Sequence, residues 1–520
     1  MQARGLLRRP SLTTRLVFSP CLLACLATSG VGCSEILSST DAQFEARSGP
    51  STAPGGNDLR FTAYLKALEP SAHADFGDSV AVNGSTVAVT APFEDETTPD
   101  GVTKLTAAGA TYLFDLDHVD APPTRLVVPD VGANDGFILG TDVPQGFNAL
   151  PAYGGLHVAL DDSIVVIGVS GDDSASASDP IDDSATDSGA VHVYDRAAAS
   201  WTRYLKEPQI AAGDLFGATV ALSARWLAVG APSDDSVAKD SGAVYVYPRN
   251  SGRFDAPPFV VKPRIAHVGD SFGGALALDG DLLVVGAAGE GSASTGIDGD
   301  ASGTALKGDG AVYVYRFSTN EEWTEEAYVK PNVASAYAYF GGALSASDGR
   351  FVVGALAAGS CGGSEAPISF RGAAYVVAQK DGQWAIEQCI SAAHGDSMLG
   401  IAVGLSGDRM VAGAPWEPGD RTDDRPDAAR AFSGSAAVYR SDPSGLFREL
   451  PHLQAPGTEA NQIFGLSVGV SSRFVVVGAP WEAGGQSGPK ANPLDMSMPK
   501  AGAVYVFSFD ADGGSSAGPP

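Results

Sequence analysis

Residues Phe216–Tyr247 read FGATVALSARWLAVGAPSDDSVAKDSGAVYVY. The stretch opens on Phe216-Gly217, passes through Gly230-Ala231-Pro232 and closes on Gly242-Ala243-Val244-Tyr245. Two short alternating segments, TVAL and WLAVGA, flank the polar turn SAR, and AVYVY follows a second polar loop. Alternation of β-branched, aromatic and small residues with a period of two predicts strands. Pro232 stops the second strand, because proline has no N–H to donate to a central ladder. FVVKP, at 259–263, reads as a fourth strand.

The phrase is written seven times. It starts at Phe76, Tyr153, Phe216, Phe272, Phe340, Leu399 and Phe464, with spacings from 56 to 77 residues, so insertions fall in loops. No run of ten or more residues carries helical periodicity, which makes the chain all-β. Seven four-stranded units that cannot bury both faces alone are satisfied by a ring with short, protected edges. The expectation is a seven-bladed β-propeller of four-stranded blades. Its closure is legible as well. FTAYLKALEP, at 61–70, is a fourth-strand phrase placed before the first Phe-Gly, and nothing similar follows the last close, GAVYVF at 502–507. The N-terminal strand therefore completes the seventh blade. Phenylalanine at each start is expected to wedge between blades, and the glycine after it to permit close backbone approach.

Composition sets bounds on function. With 44% hydrophobic and 18% charged residues the chain is globular rather than disordered. A formal charge of −28 repels phosphate backbones, which excludes nucleic acid as a partner class. Residues 1–32 read as a signal peptide: Arg4, Arg8, Arg9 and Arg15 precede the apolar run LVFSPCLLACLA. TSGVGC resembles the lipobox of bacterial lipoproteins, which implies lipidation at Cys33; an ordinary cleaved signal is the alternative. Gly30 stands where that family usually has leucine. Residues 33–58 read as the lipidated cysteine and a flexible tether, 59–510 as the propeller and 511–520 as a disordered tail. Only Cys361 and Cys389 remain in the mature body. In an oxidising compartment they read as a disulfide, with two buried thiols as the alternative.

The motifs Phe216-Gly217, Gly230-Ala231-Pro232 and Gly242-Ala243-Val244-Tyr245, repeated at Phe464-Gly465, Gly478-Ala479-Pro480 and Gly502-Ala503-Val504-Tyr505, resemble the FG-GAP repeat family. Relatives of that family include the N-terminal propeller of integrin α chains. The resemblance covers roughly Leu59 to Asp510, and it implies a propeller used for extracellular recognition or adhesion. Integrin-like repeats often bind calcium through an Asp-rich loop between the first two strands. Here those turns are only a few residues long, as in Asn83-Gly84-Ser85 and Asp279-Gly280-Asp281, too short for the oxygens calcium requires. Acid gathers instead between the second and third strands, for example in EDETTPD (94–100) and SDDSVAKD (233–240). Most of these acids read as solvated loop residues. Asp298 and Asp300, with Asp309 returning toward them, are the candidate metal ligands, so no cofactor is established and calcium stays open.

No G-x-S-x-G elbow, H-E-x-x-H helix or phosphate-binding loop occurs, and the seven histidines are scattered. Trp416 and Trp481, each followed by glutamate, are candidate ligand contacts that could stack a sugar or a peptide; structural wedging is the other reading. The expectation is a non-enzymatic, extracytoplasmic, lipid-anchored module that binds proteins or glycans through its loops. It would touch the membrane only through the lipid, with the outer membrane or secretion as further options. The alternatives are a propeller hydrolase or lyase acting on an extracellular polymer and a structural scaffold of the envelope.

Overall fold

The computed structural model describes residues 59–97, 104–105, 107–129, 157–250, 253–361, 370–392, 395–418, 432–450, 452–455, 460–487, 492 and 495–509. The signal segment, Cys33, the tether, the tail and the second start at Tyr153 lie outside them.

Seven antiparallel sheets follow one another along the chain. Blade 3 is representative. Its strands are Thr219–Leu222, Trp226–Ala231, Ala243–Pro248 and Phe259–Val261, paired in that order. The first strand of each blade is innermost and the fourth outermost. In the two middle strands of blade 3 every residue but the last is buried, because both faces of each sheet are covered by neighbouring blades. That explains the continuous apolar run WLAVGA, where a one-sided sheet would alternate. Fourth strands stay half exposed, as in SWTRYL (Ser200–Leu205).

Closure follows the sequence reading. Leu59–Leu65 pairs antiparallel with Ala503–Phe509, with Tyr64 opposite Tyr505, so the first strand of the chain is the outer strand of blade 7. Blade 4 exceeds the expected four strands: Gly296–Ile297, from its long connection, folds back onto the outer strand Trp323–Lys330. In blade 1 the corresponding connection forms a two-stranded ribbon, Glu96–Thr97 with Lys104–Leu105.

The repeated phrase spans a blade boundary, which is why its parts lie so far apart in sequence. Phe272 pairs with Gly242 of the preceding blade, Phe340 with Gly310, Leu399 with Gly372 and Phe464 with Gly434. Phe76 pairs with Gly502 and closes the ring. At the seam between blades 2 and 3 three glycines meet. Gly217 has φ +91°, and a Cβ there would lie 2.3 Å from the Ala190 carbonyl oxygen. A Cβ on Gly168 would lie 1.9 Å from the Gly217 oxygen, and one on Gly189 2.0 Å from the Phe216 oxygen. No other residue fits at any of the three. The Phe216 side chain is fully buried there, edge-on to Tyr245 at 5.5 Å and in one cluster with Val166, Val191 and Val193 of blade 2. Burying such a ring contributes roughly 1.5–3 kcal/mol at each seam.

Three residues from each inner strand enclose an axial channel of about 190 Å³. Its lining is valine, leucine, alanine and glycine, with isoleucine absent and Ser345 the one polar side chain.

Candidate functional site

Antiparallel order sends the chain's connections to two opposite faces. The turns joining strands one and two, and three and four, share one face, here the turn face. The longer connections between strands two and three, and from each blade to the next, share the other, the loop face.

On the turn face, side-chain contacts run from blade to blade. Asn83 of blade 1 donates to Asp162 of blade 2 at 2.8 Å, and Arg249 of blade 3 binds Asp161 of blade 2. Nη1 of Arg225 in blade 3 donates to both oxygens of Asp281 in blade 4, at 2.7 and 2.6 Å. Asp279 of blade 4 accepts from the Gly349 amide of blade 5 at 2.7 Å, and Ser347 of blade 5 from the Gly407 amide of blade 6 at 3.0 Å. Arg409 of blade 6 lies 4.5 Å over the Phe509 ring of blade 7, and Arg473 of blade 7 binds Asp117 of blade 1 at 2.7 Å. Every seam is stitched.

On the loop face the strongest polar contacts stay within a blade. The residue four after the Gly of the Gly-Ala-Pro segment is acidic in six blades: Asp172, Asp234, Glu290, Glu417, Glu482 and, counted from Thr90, Glu94. Its backbone oxygen accepts from the glycine that opens the third strand, as in Gly310 to Glu290 at 2.9 Å. Its side chain meets a cation from the end of the outer strand. Lys206 binds Asp172 at 2.8 Å, Lys262 binds Asp234 at 3.0 Å and Lys66 binds Glu482 at 2.7 Å. Arg125 binds Glu94 at 2.8 Å and His452 binds Glu417 at 2.8 Å. Lys330 joins Glu290 at 2.6 Å and Asp309 at 2.9 Å, all three sealed from solvent. Each pair latches a loop-face connection to the blade's outer edge. These acids belong to the loops expected to be solvated; the first acid of each is buried.

Blade 5 departs from the pattern. Ala358 occupies the acid's place and makes the same backbone bond, accepting from Gly372 at 3.0 Å. Ser391 occupies the cation's place, since Cys389 pairs with Tyr375 as Tyr328 does with Tyr313 in blade 4. A Cys361–Cys389 disulfide ties the connection to the outer strand instead.

The candidate metal ligands are placed apart in role. Asp309 is engaged by Lys330 and by the Ser335 amide at 2.7 Å, and burial raises its carboxyl pKa. Asp298 accepts from the Tyr328 amide at 2.9 Å, and Asp300 caps a surface turn through the Ser302 amide. Among the described residues, one set of three acids converges to within 4.8 Å: Glu207, Asp214 and Asp234, all buried. Burial and the Glu207 and Asp234 carboxylates push Asp214 up to about 8, and burial raises Glu207. Asp234 is held low despite burial, by Ser236 and Lys262. Tyr245 donates to both Glu207, at 3.0 Å, and Asp234, at 2.9 Å. Three carboxylates, one already neutralised by lysine, fall short of the six to eight oxygens of a calcium site.

One constellation resembles a nucleophilic triad. Ser435 Oγ lies 2.9 Å from His452 Nε2, and His452 Nδ1 lies 2.9 Å from Glu449. A nucleophile there would need an approachable hydroxyl and a neutral base. Ser435 is fully buried with its hydroxyl turned to Glu417, and the two glutamates hold the imidazole protonated up to about 9 despite its burial. The group is a latch.

Trp416 and Trp481 occupy the same register, one residue before the latch acid in blades 6 and 7. Phe93 holds that place in blade 1, whereas blades 2 to 5 have Gly171, Ser233, Gly289 and Ala357. Sequence reading paired the two tryptophans and missed Phe93, although APFE beside APWE carries the signal. Trp416 packs between Phe370 at 5.4 Å and Phe432 at 5.5 Å, and Lys500 lies 3.9 Å over the Trp481 ring. Ten large apolar side chains are exposed among the described residues. Leu68, Phe93, Ile181, Val237, Val268, Val333, Phe432, Trp481 and Met496 all belong to loop-face connections, and the tenth, Val260, to an outer strand.

Residues 207–247 match the model of the FG-GAP repeat family. No curated protein matches the chain. The matched stretch runs from the end of one outer strand, across a seam, to the third strand of the next blade. That motif recurs around a closed ring of seven blades, so the chain is a seven-bladed β-propeller that carries an FG-GAP repeat at residues 207–247.

Proposed function

We propose that this propeller is a non-enzymatic binding module, displayed outside the cytoplasm on a lipid anchor at Cys33, that recognises a protein or glycan through its loop face. One observation carries the reading: nine of the ten exposed large apolar side chains lie in loop-face connections. Loops on a rigid scaffold are where binding residues concentrate, and apolar side chains gathered on one face are the kind of surface that meets a partner. The aromatic arc of blades 6, 7 and 1 gives that surface a centre, and among the described residues the turn face exposes no large apolar side chain. The axial channel, lined by aliphatic side chains and one serine, brings no titratable group toward a substrate.

The test is a binding screen of the full chain against glycan arrays and extracellular proteins, repeated with Phe93→Ser/Trp481→Ser and with Val260→Ser. The reading expects a ligand lost by the first variant and kept by the second. A ligand retained by both would overturn the assignment of the face. Membrane fractionation of Cys33→Ala tests the anchor separately, and an unchanged membrane fraction would remove it.

A further inference from the structure

Five of the six ionic latches use lysine or arginine: Arg125, Lys206, Lys262, Lys330 and Lys66. Blade 6 uses histidine, the one side chain of the set whose ordinary titration falls near neutral pH. His452 is gripped on both ring nitrogens. Glu417, on the connection carrying Trp416, meets Nε2 at 2.8 Å, and Glu449, on the outer strand, meets Nδ1 at 2.9 Å. Ser435, on the third strand, lies 2.9 Å from Nε2. Tyr439, further along that strand, faces the same two carboxylates.

We propose that blade 6 carries a protonation-dependent clasp, in which His452 pins the Trp416 connection to the outer strand only while its ring is an imidazolium. A neutral ring can donate from one nitrogen only, so it cannot hold both glutamates as a donor. One carboxylate is then left facing a lone pair across the shared site, and the connection is released.

The direction is fixed by the environment. Burial would lower the imidazole, but hydrogen bonds and charge from Glu417 and Glu449 raise it from 6.5 to about 9. The clasp is therefore fully closed below about pH 6.5 and opens as pH rises through about 9. Burial draws Lys66 and Lys206 below the usual lysine range, so the experiment compares variants at His452 itself.

The test is hydrogen exchange on the full chain, corrected for intrinsic rates, between pH 7 and 10. The reporters are the Gly434 amide, bonded to the Glu417 oxygen, and the equivalent Gly310 amide of blade 4, bonded to Glu290. Protection at Gly434 should fall about tenfold or more relative to Gly310, the change that one unit of pKa difference carries. His452→Lys should abolish that fall, and His452→Gln should show the reduced protection already at pH 7. The His452 ring resonance, assigned by its loss in His452→Lys, should titrate near 9. Titration near 6.5, or an identical Gly434 profile in wild type and His452→Lys, would overturn the proposal. The ring resonance keeps the test decisive if His452→Gln does not fold.

Discussion

The two faces of this propeller hold their polar groups in opposite ways. On the turn face, half-exposed side chains such as Arg225 and Asp281 join neighbouring blades, each bridging a seam. On the loop face, cation and acid pair within one blade around a buried acid, and Lys330, Glu290 and Asp309 have no exposed side-chain surface at all. Burial makes the difference in cost. A solvated pair loses little when broken, whereas a buried charge left without its partner has neither water nor counter-charge. The turn face is thus a brace assembled from many weak ties. The loop face rests on a few strong ones, which leaves the outer residues of its connections free to present apolar side chains.

The largest expected effect follows from that contrast. Lys330→Met strands two buried carboxylates and should lower stability by about 3–5 kcal/mol in urea unfolding. Lys330→Met combined with Glu290→Gln and Asp309→Asn should recover much of that loss, since no charge is then left unpaired. If the single variant unfolds with less than about 1 kcal/mol of loss, the latches are no stronger than surface pairs and the comparison fails.

Blade 5 sharpens it. Cys361→Ala/Cys389→Ala opens a covalent latch of 28 residues' separation, and a loss of about 2–4 kcal/mol is expected. Adding Ala358→Glu and Ser391→Lys places an acid and a cation where the other blades have them. Partial recovery would show that disulfide and ion pair do one job; no recovery would show that the disulfide acts elsewhere.

Asp214 tests the loop face from the side of pH. Its carboxyl is raised from 3.8 to about 8, first by burial and then by Glu207 and Asp234. The folded state therefore keeps a proton that the unfolded state releases, and stability falls as pH rises from about 4 to about 8. Asp214→Asn removes that dependence and should be the more stable protein at pH 9, by an amount on the order of 1 kcal/mol or more. Parallel stability–pH curves for the two proteins would contradict this.

On the turn face, Arg225→Ala should cost less than about 1 kcal/mol, since both partners of the pair are at least one-third exposed. Raised salt should narrow the gap further, whereas Lys330→Met should respond little to salt.

How much of this was written legibly can be seen residue by residue. Phe216, Gly217 and Gly242 declare the seam because their requirements are local: a ring to bury, a positive φ and an approach that admits no Cβ. The outer strand at Leu59–Leu65 declares closure because its phrase repeats elsewhere in the chain. The latches were hidden because a buried and a solvated aspartate are the same letter. Asp234 and Asp235 are adjacent, yet the first is paired with Lys262 and the second is exposed. The signal existed in the lysines of YLKEP, VVKP, YVKP and YLKALEP, each closing an outer strand four or more residues before the next turn of the repeat. It went unread because lysine at a strand end is ordinary surface chemistry. Convergence of Glu207, Asp214 and Asp234 depends on a seam between blades, which no spacing in the sequence encodes.

Calcium is where the smallest change is expected and where the comparison is most exposed to failure. In integrin-like repeats the resemblance places calcium in the turn between the first two strands. In this chain those turns carry Arg225, Arg409 and Arg473, whose guanidinium groups engage partners on the same blade or the next. An arginine fork supplies a fixed positive charge to a carboxylate without needing six oxygens around it. Millimolar calcium after EDTA should therefore leave thermal unfolding unchanged to within about 1 °C, far below the several degrees that saturation at a hundred times the dissociation constant would give. A larger rise would put calcium on the protein. If Asp214→Asn abolished that rise, the ion would belong to the buried carboxylates of the loop face, and the face that rests on a few strong ties would have gained one more. If the rise survived, the ion would sit on the turn face, and the arginine brace would no longer account for how these blades hold together.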